Sequence, residues 1–459
     1  MPSPTRRCHV SGRTSAAEKH TGSSARDAVV TGMGFCLPGE NRPVFTAGDV
    51  WDIAAHGRSC LLRDGVYHGP VHLSDGMFEE RLPELPGVFA RHFTSAHRFG
   101  LVSLAEACAD AGLDLNAGDL ATAAVLAGRG GVDAQVTSYQ AVMRADPATI
   151  GPLAAMDLFI GTELAVSPSD VALVQGAVTR STGPCYTVSC GCASSAVQLG
   201  HARHLIADGV VDMAVVTGVD VFDVALVRNA QRLLRVAQEA DASVRSAGKP
   251  ALLPSFDRLM RPYDRRADCV NYGEGSVTLI VESREHADRR GAHAYGQILA
   301  QATTRDGLAN PLSSDESGAG LVAAVRDCLG EKWSVEQIPY IHGGSDGDAV
   351  VTAFEVNAVR QLYGAAAADL LMTSQEGCWG HNGAPAGCLG AALTLLMMEH
   401  GEVCPTANCE EPAEGLVFDP VPGVRTRPLD FHLALNFTYQ IGGVKSALLL
   451  GSPDVSRSR

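Results

Sequence analysis

Tyr186-Thr-Val-Ser-Cys190-Gly-Cys192-Ala-Ser-Ser-Ala-Val-Gln-Leu-Gly-His201 is the stretch on which the fold of this chain turns. It reads as a short strand, a Gly-containing turn and a helix from Ala193 to Ala207. Ala196, Val197, Leu199, Ala202, Leu205 and Ile206 put apolar side chains on more than one face of that helix. Such a helix is buried between layers. Cys192 falls at the turn, where free N–H groups and the helix dipole favour a thiolate. Gly191, Ala193 and Ser194 are small enough to permit a sharp bend. This is the recipe for an exposed nucleophile, although most free thiols are plain packing groups. Cys185, Cys190 and Cys192 lack the spacing of a paired-Cys knuckle, so no metal is expected.

Working outward, the same rhythm recurs. Buried strands are expected at Ala28–Gly34 (closed by a Gly turn), Ala121–Ala127, Met213–Thr217 and Ser276–Val281. In the second half they are expected at Ile338–Ile341, Leu370–Thr373, Phe431–Asn436 and Ser446–Leu450. Trp51–Ala55, Leu101–Ala111, Thr352–Leu362 and Ala386–Met398 read as helices between them. Alternating strands and helices argue a layered α/β fold. A strand, a reactive-looking loop and a buried helix occur once per half, which hints at duplication. The expected parts are a disordered tail at 1–27, one half at 28–284 and the other at 285–459. Gly128-Arg-Gly-Gly lacks the spacing and the Lys of a nucleotide loop and reads as a turn.

Composition narrows the class. The 459 residues are 46% hydrophobic and 19% charged, which suits a packed core and not a disordered chain. The net charge of −15, with no Lys/Arg run, argues against nucleic acid as a partner. Arg258, Arg261, Arg265 and Arg266 read as a solvated loop. With no apolar h-region near residue 1, no secretory leader is expected, and Leu389–Met398 is too short to span a bilayer. With 13 scattered Cys, a cytoplasmic protein with reduced thiols is expected.

Two His stand in Gly-rich loops at strand ends, where α/β folds keep their sites. His342 lies in Tyr340-Ile-His-Gly-Gly-Ser-Asp and His381 in Trp379-Gly-His-Asn-Gly. Ile441-Gly442-Gly443 could present N–H groups to a developing oxyanion, though taken alone it reads as a tight turn.

Together and in this order, these segments resemble the β-ketoacyl synthases of the thiolase superfamily, from about Ala28 to Leu450. Val29-Val-Thr-Gly-Met-Gly matches the opening strand, and Val188-Ser-Cys-Gly-Cys-Ala-Ser-Ser the nucleophile segment. Arg261-Pro-Tyr-Asp to Gly273-Glu-Gly, His342-Gly343, Gly380-His381, Pro405-Thr406 and Gly442-Gly443 follow in place. The resemblance implies a thiolase-like five-layered αβαβα fold of two similar halves. It also implies a homodimer or a pair with a related subunit. The implied substrate is a thioester on acyl carrier protein, whose phosphopantetheine is the only prosthetic arm. By that likeness Cys192 accepts the acyl group, and the N–H groups of Cys192 and Ile441 hold the oxyanion. His342 and His381 would bind a malonyl thioester carbonyl during decarboxylative condensation.

The chain also departs from the pattern. The family Lys five residues before the second His is Glu376, and its acidic partner aligns with Gly390. Two Thr that contact pantetheine become Gly344 and Asp346, and the Phe of the Gly-Phe-Gly-Gly turn is replaced in Gln440-Ile-Gly-Gly. Glu376 should make His381 a better base and repel a malonyl carboxylate. These changes point to specialised polyketide or related natural-product assembly. Base rates in the family favour C–C condensation. The alternatives are non-decarboxylating acyl transfer or intramolecular cyclisation with His381 and Glu376 as the base pair. A chain-length-factor-like subunit without catalysis ranks lower because Cys192, His342 and His381 are kept. A thiolase ranks lower still, because it would need a second late Cys. Arg228, Arg232, Arg235 and Arg265 are candidates for carrier docking.

Overall fold

The computed structural model describes residues 26–82, 84–85, 90–130, 135–167, 170–240 and 255–455. The expected tail therefore falls outside the described residues up to position 25, as do Gly131 and the Arg235 side chain. Arg26 is held in place, with its guanidinium bonded to Ile206 O, Val211 O and Asp212.

Ten strands form one mixed sheet among the described residues. The first five are β1 (Ala28–Cys36), β2 (Ala124–Arg129), β3 (Cys185–Val188), β4 (Met213–Asp220) and β5 (Gly275–Ser283). The second five are β6 (Gly296–Arg305), β7 (Tyr340–His342), β8 (Leu371–Thr373), β9 (Leu433–Gln440) and β10 (Val444–Gly451). Their spatial order is 8-7-9-10-6-1-5-4-2-3. Each half thus repeats one plan: its third, second and fourth strands run parallel, and its fifth is antiparallel to the fourth and the first. The halves meet where β1 pairs briefly with β6, at Val29 with Gln297 and Val30 with Gly296.

Helices complete five layers. The outer layer of the first half holds α1 (Ser95–Asp110) and α2 (Asp170–Thr179), and the central layer begins with α3 (Ser194–Ala207). The outer layer of the second half holds α4 (Ala319–Leu329) and α5 (Ala349–Tyr363), and α6 (Ala386–His400) joins α3 in the centre. Helix α3 touches strands of both halves, which is why it is apolar on several faces. Strand alternation sorts side chains between layers. In β4, Ala214 and Val216 enter the central core, while Met213, Val215 and Val219 enter the outer one. In β10, Leu448 and Leu450 face the centre and Ala447 and Leu449 the other outer core.

Several glycines expected to end strands lie inside them, a correction with a steric cause. Gly32 and Gly34 sit within β1, where a Cβ would collide with the backbone of α1 at Ser103 and Ala107. Gly128 in β2 lies against Ser194 and Ser195, and Gly218 in β4 against Ala384 and Pro385. These positions let the central helices and site loops approach the sheet closely. Arg129, once read in a turn, is a buried residue of β2 paired with Asp170. Among the described residues, no helix is long and apolar enough to cross a membrane.

Candidate active site

The nucleophile segment folds as its small residues demand. Gly191 takes a φ of +51°, a left-handed value open to glycine, so β3 bends directly into α3. Ala193 N bonds Cys190 O and Ser194 N bonds Gly191 O, both at 3.1 Å, closing the elbow. The Ser194 hydroxyl accepts from Cys190 N at 2.8 Å. Cys192 is left half-buried at the elbow. Cys190 is half-buried as well, and burial pushes its thiol up.

His381 reaches this elbow from the other half. Its backbone is clamped by His381 N to Asn271 O at 2.7 Å and Gly273 N to His381 O at 3.1 Å. Gly380, at φ +83°, leaves no room for a Cβ beside Gly273. The loop is tied to α3 by the Ser195 hydroxyl on Ala384 O, and to β4 by Ala384 N on Asp220 at 2.7 Å. With the loop fixed, His381 Nε2 lies 2.7 Å from Cys192 Sγ, and His381 Nδ1 lies 2.9 Å from Glu376 Oε2. Glu376 is 9% exposed and opens the short helix Glu376–Trp379. The three residues make a relay of thiol, imidazole and carboxylate. Burial alone would lower the His381 pKa. The Cys192 and Glu376 charges outweigh it and hold the imidazole well above its ordinary value. Asp346 adds a second carboxylate 4.0 Å from His381 Nδ1, and burial raises its own pKa.

His342 is placed differently. It ends β7 and is 6% exposed, with the Asn436 and Gln375 amides beside its ring. Burial pushes its pKa down to about 4, so it is a neutral imidazole at physiological pH. The structure therefore joins Cys192, His381 and Glu376 by hydrogen bonds and leaves His342 outside that chain.

Ile441, Gly442 and Gly443 form the turn between β9 and β10, with φ +91° and +85° at the two glycines. The turn meets the elbow through Gln440, whose Cγ lies 2.7 Å from where a Gly191 Cβ would stand. Gly442 and Gly443 lie against Pro311 and Asp306, and Ile441 is 67% exposed.

The space beside Gly390 is filled by Asn436. A Cβ on Gly390 would lie 2.6 Å from Asn436 Nδ2, so the Asn436 amide occupies the room an acidic side chain would need. Lone Asn436, Gln375 and the His381 contact of Asp346 escaped the sequence reading. Asn436 carried one visible signal: a polar residue interrupting the apolar run Leu433–Leu435. Among the described residues, no group of His, Cys, Asp and Glu could hold a metal ion.

Comparison with known proteins gives the following. The Beta-ketoacyl synthase N-terminal domain matches residues 25–287, and the Beta-ketoacyl synthase C-terminal domain residues 295–410. A 3-oxoacyl-(acyl-carrier-protein) synthase 2 from Vibrio cholerae is 26% identical over 93% of this chain and 99% of its own. The tetracenomycin polyketide synthase ketoacyl synthase alpha subunit of Streptomyces glaucescens is 27% identical, over 95% and 100%. Among solved structures, the ishigamide ketosynthase/chain length factor superposes with a TM-score of 0.75 at 21% identity, covering 93% of this chain and 99% of that one.

Proposed function

This chain belongs to the β-ketoacyl synthase family, and from that premise we propose a ketosynthase-like acyltransferase that works through an acyl-Cys192 thioester. The observation that carries the reading is the relay from Cys192 Sγ through His381 to Glu376. In the first half-reaction the Cys192 thiolate attacks a carrier-bound thioester. The tetrahedral oxyanion collapses and expels the pantetheine thiolate, which takes the Nε2 proton of His381. The neutral His381 left behind keeps its Nδ1 proton on Glu376 and presents a bare Nε2. In the second half-reaction an acceptor gives its proton to Nε2 and attacks the acyl carbonyl, and Cys192 leaves as thiolate. The Glu376 carboxylate on Nδ1 of His381 favours this base role over donation to an enolate.

Decarboxylative C–C condensation is the second reading, and the neutral state of His342 favours it, because a neutral imidazole donates a hydrogen bond without a net charge. The role of Ile441, Gly442 and Gly443 as oxyanion donors is part of the same proposal. Acyl carrier protein as donor is inferred from the 3-oxoacyl-(acyl-carrier-protein) synthase among the relatives, and a paired assembly, with itself or a related subunit, from the ketosynthase/chain length factor among the solved structures. The repeated strand order supports a join of two duplicated halves near residue 284. Free thiols at all twelve described cysteines suit a reducing cytoplasm. Cys192→Ala in the reconstituted pathway tests the reading: product formation should cease, whereas a scaffold subunit would survive the change.

A further inference from the structure

Cys192 and His381 come from different halves of the chain, so the 2.7 Å between Sγ and Nε2 depends on what joins the two segments. Much of that join passes through Asp220, the last residue of β4 and 3% exposed. Its Oδ2 accepts from Ala384 N at 2.7 Å, in the loop that carries His381. Its Oδ1 accepts from Gly130 N at 2.8 Å, at the end of β2. There the Ser194 hydroxyl of the elbow also donates to Arg129 O, at 3.3 Å. The Ala384 peptide is gripped from both sides, because its carbonyl accepts from the Ser195 hydroxyl of α3. A Cβ on Gly130 or on Gly383 would collide with the Asp220 carboxylate, so both loops close directly on it.

The carboxylate is itself braced. Arg129 is 4% exposed; its Nη1 lies 3.8 Å from Asp220 Oδ1 and donates to Val219 O at 3.2 Å. The other side of the guanidinium meets Asp170, with Nη2 donating to Oδ2 at 3.3 Å and Nε 3.3 Å from Oδ1. Asp170 opens α2 and faces His97 Nε2 at 3.4 Å. Two carboxylates and one guanidinium thus lie buried behind the elbow. Such a cluster adds little net stability, because desolvation offsets the attraction. It does fix geometry, since the planar fork of an Arg holds its partners at set spacing.

We propose that Asp220, braced by Arg129, is a positioning residue that sets the spacing of Cys192 and His381 across the two halves of the chain. It acts through the backbone at Gly130 and Ala384. The inference rests on the reading of His381 as proton donor to the leaving pantetheine thiolate. Asp220→Asn keeps the size but turns an NH2 toward one of the two N–H donors. Asp220→Glu keeps the charge but adds a methylene to the tight space between Gly130 and Gly383. Either change lets the Ala384 loop step away from the elbow. His381 is faced by Cys192, Glu376, Asp346 and the Tyr272 ring. Burial lowers its pKa, and Cys192 is the largest of the influences that raise it. As that contact opens, the imidazolium gives up its proton at lower pH.

The test is single-turnover acylation of the full chain by a short acyl N-acetylcysteamine thioester from pH 5.5 to 9.5, read by intact mass. Asp220→Asn and Asp220→Glu should each lower the maximal rate about 100-fold and leave the half-saturating thioester concentration within about twofold. Both should move the upper limb down by about one pH unit. A shift shared by Asp220→Glu comes from position, because that variant keeps the charge. Asp170→Asn takes a charge from the same cluster but leaves the Gly130 and Ala384 bonds in place, so its limb should stay within about 0.3 unit. An upper limb unmoved in Asp220→Asn, or moved as far by Asp170→Asn, would overturn the proposal. Where Asp220→Glu does not fold, Asp220→Asn decides alone. If the wild type never acylates, the acyl-transfer reading fails by itself. The spacing is then judged by the rate at which iodoacetamide modifies Cys192 at pH 7, located by peptide mapping. That rate should fall about tenfold in Asp220→Asn, and a rate equal to wild type would overturn the proposal.

Discussion

Glu376→Gln removes the charge behind His381 while keeping the shape of the side chain. The carboxylate accepts from Nδ1 at 2.9 Å in a largely buried setting. A hydrogen bond between charged partners contributes roughly 1.5–3 kcal/mol. Taking about 2 kcal/mol, the imidazolium loses that much against the neutral ring, a fall of about 1.5 pKa units. In the wild type His381 is held above its ordinary value, so its Nε2 proton stays available to the leaving thiolate through neutral pH. That availability is lost as pH rises past the raised pKa. In the variant the loss comes earlier, so the upper limb of the acylation profile moves to lower pH by about 1.5 units. Between the two limbs the rate should fall by up to roughly 30-fold. Single-turnover acylation from pH 5.5 to 9.5, read by intact mass, measures this. An upper limb that stays in place would refute the idea that Glu376 governs the His381 proton.

Other perturbations bear on the scaffold. Gly390→Ala forces a Cβ to within 2.6 Å of Asn436 Nδ2 and should cost roughly 1–3 kcal/mol in urea unfolding; an unchanged midpoint would mean that Asn436 can step aside. Burial pushes Glu355 from an ordinary 4.5 up to about 7, so the folded state holds an extra proton there. The stability this group contributes is complete below its unfolded pKa and is lost as pH rises through about 7. Glu355→Gln should therefore flatten the decline in unfolding free energy between pH 5 and 8, by up to roughly 3 kcal/mol, and an equally steep decline in urea unfolding would contradict the assignment. Arg232 is exposed on the helix Val224–Ala240, whereas Arg228 and Arg265 are engaged with Asp64 and Glu411. Arg232→Glu should weaken carrier binding and its salt dependence, and an unaltered Kd would remove this face from the docking surface.

Much of the architecture was legible because the central helices declare themselves. Residues 194–207 and 386–400 are apolar on more than one face, as helices packed between layers are. The strands of the central sheet were readable where both faces are buried, as in β4. Strand β6 was missed because its sequence, Gly-Gln-Ile-Leu-Ala-Gln-Ala-Thr-Thr-Arg, mixes polar residues into a partly exposed face. The glycines of β1, β2 and β4 were misread as stops because their role is steric and depends on partners far away in sequence. Cys192 and His381 could be singled out from local pattern, and Glu376 only through the likeness to the family. That Glu376 meets His381 on Nδ1 while Asn436 takes the room above Gly390 depends on tertiary packing, which no local pattern encodes.

The most direct measurement is intact-protein mass after mixing the full chain with an acyl-loaded carrier protein, alongside Cys192→Ala. The account predicts one added acyl mass that peptide mapping places on Cys192 and that the variant lacks. No adduct in the wild type, or an adduct that persists in Cys192→Ala, would contradict it.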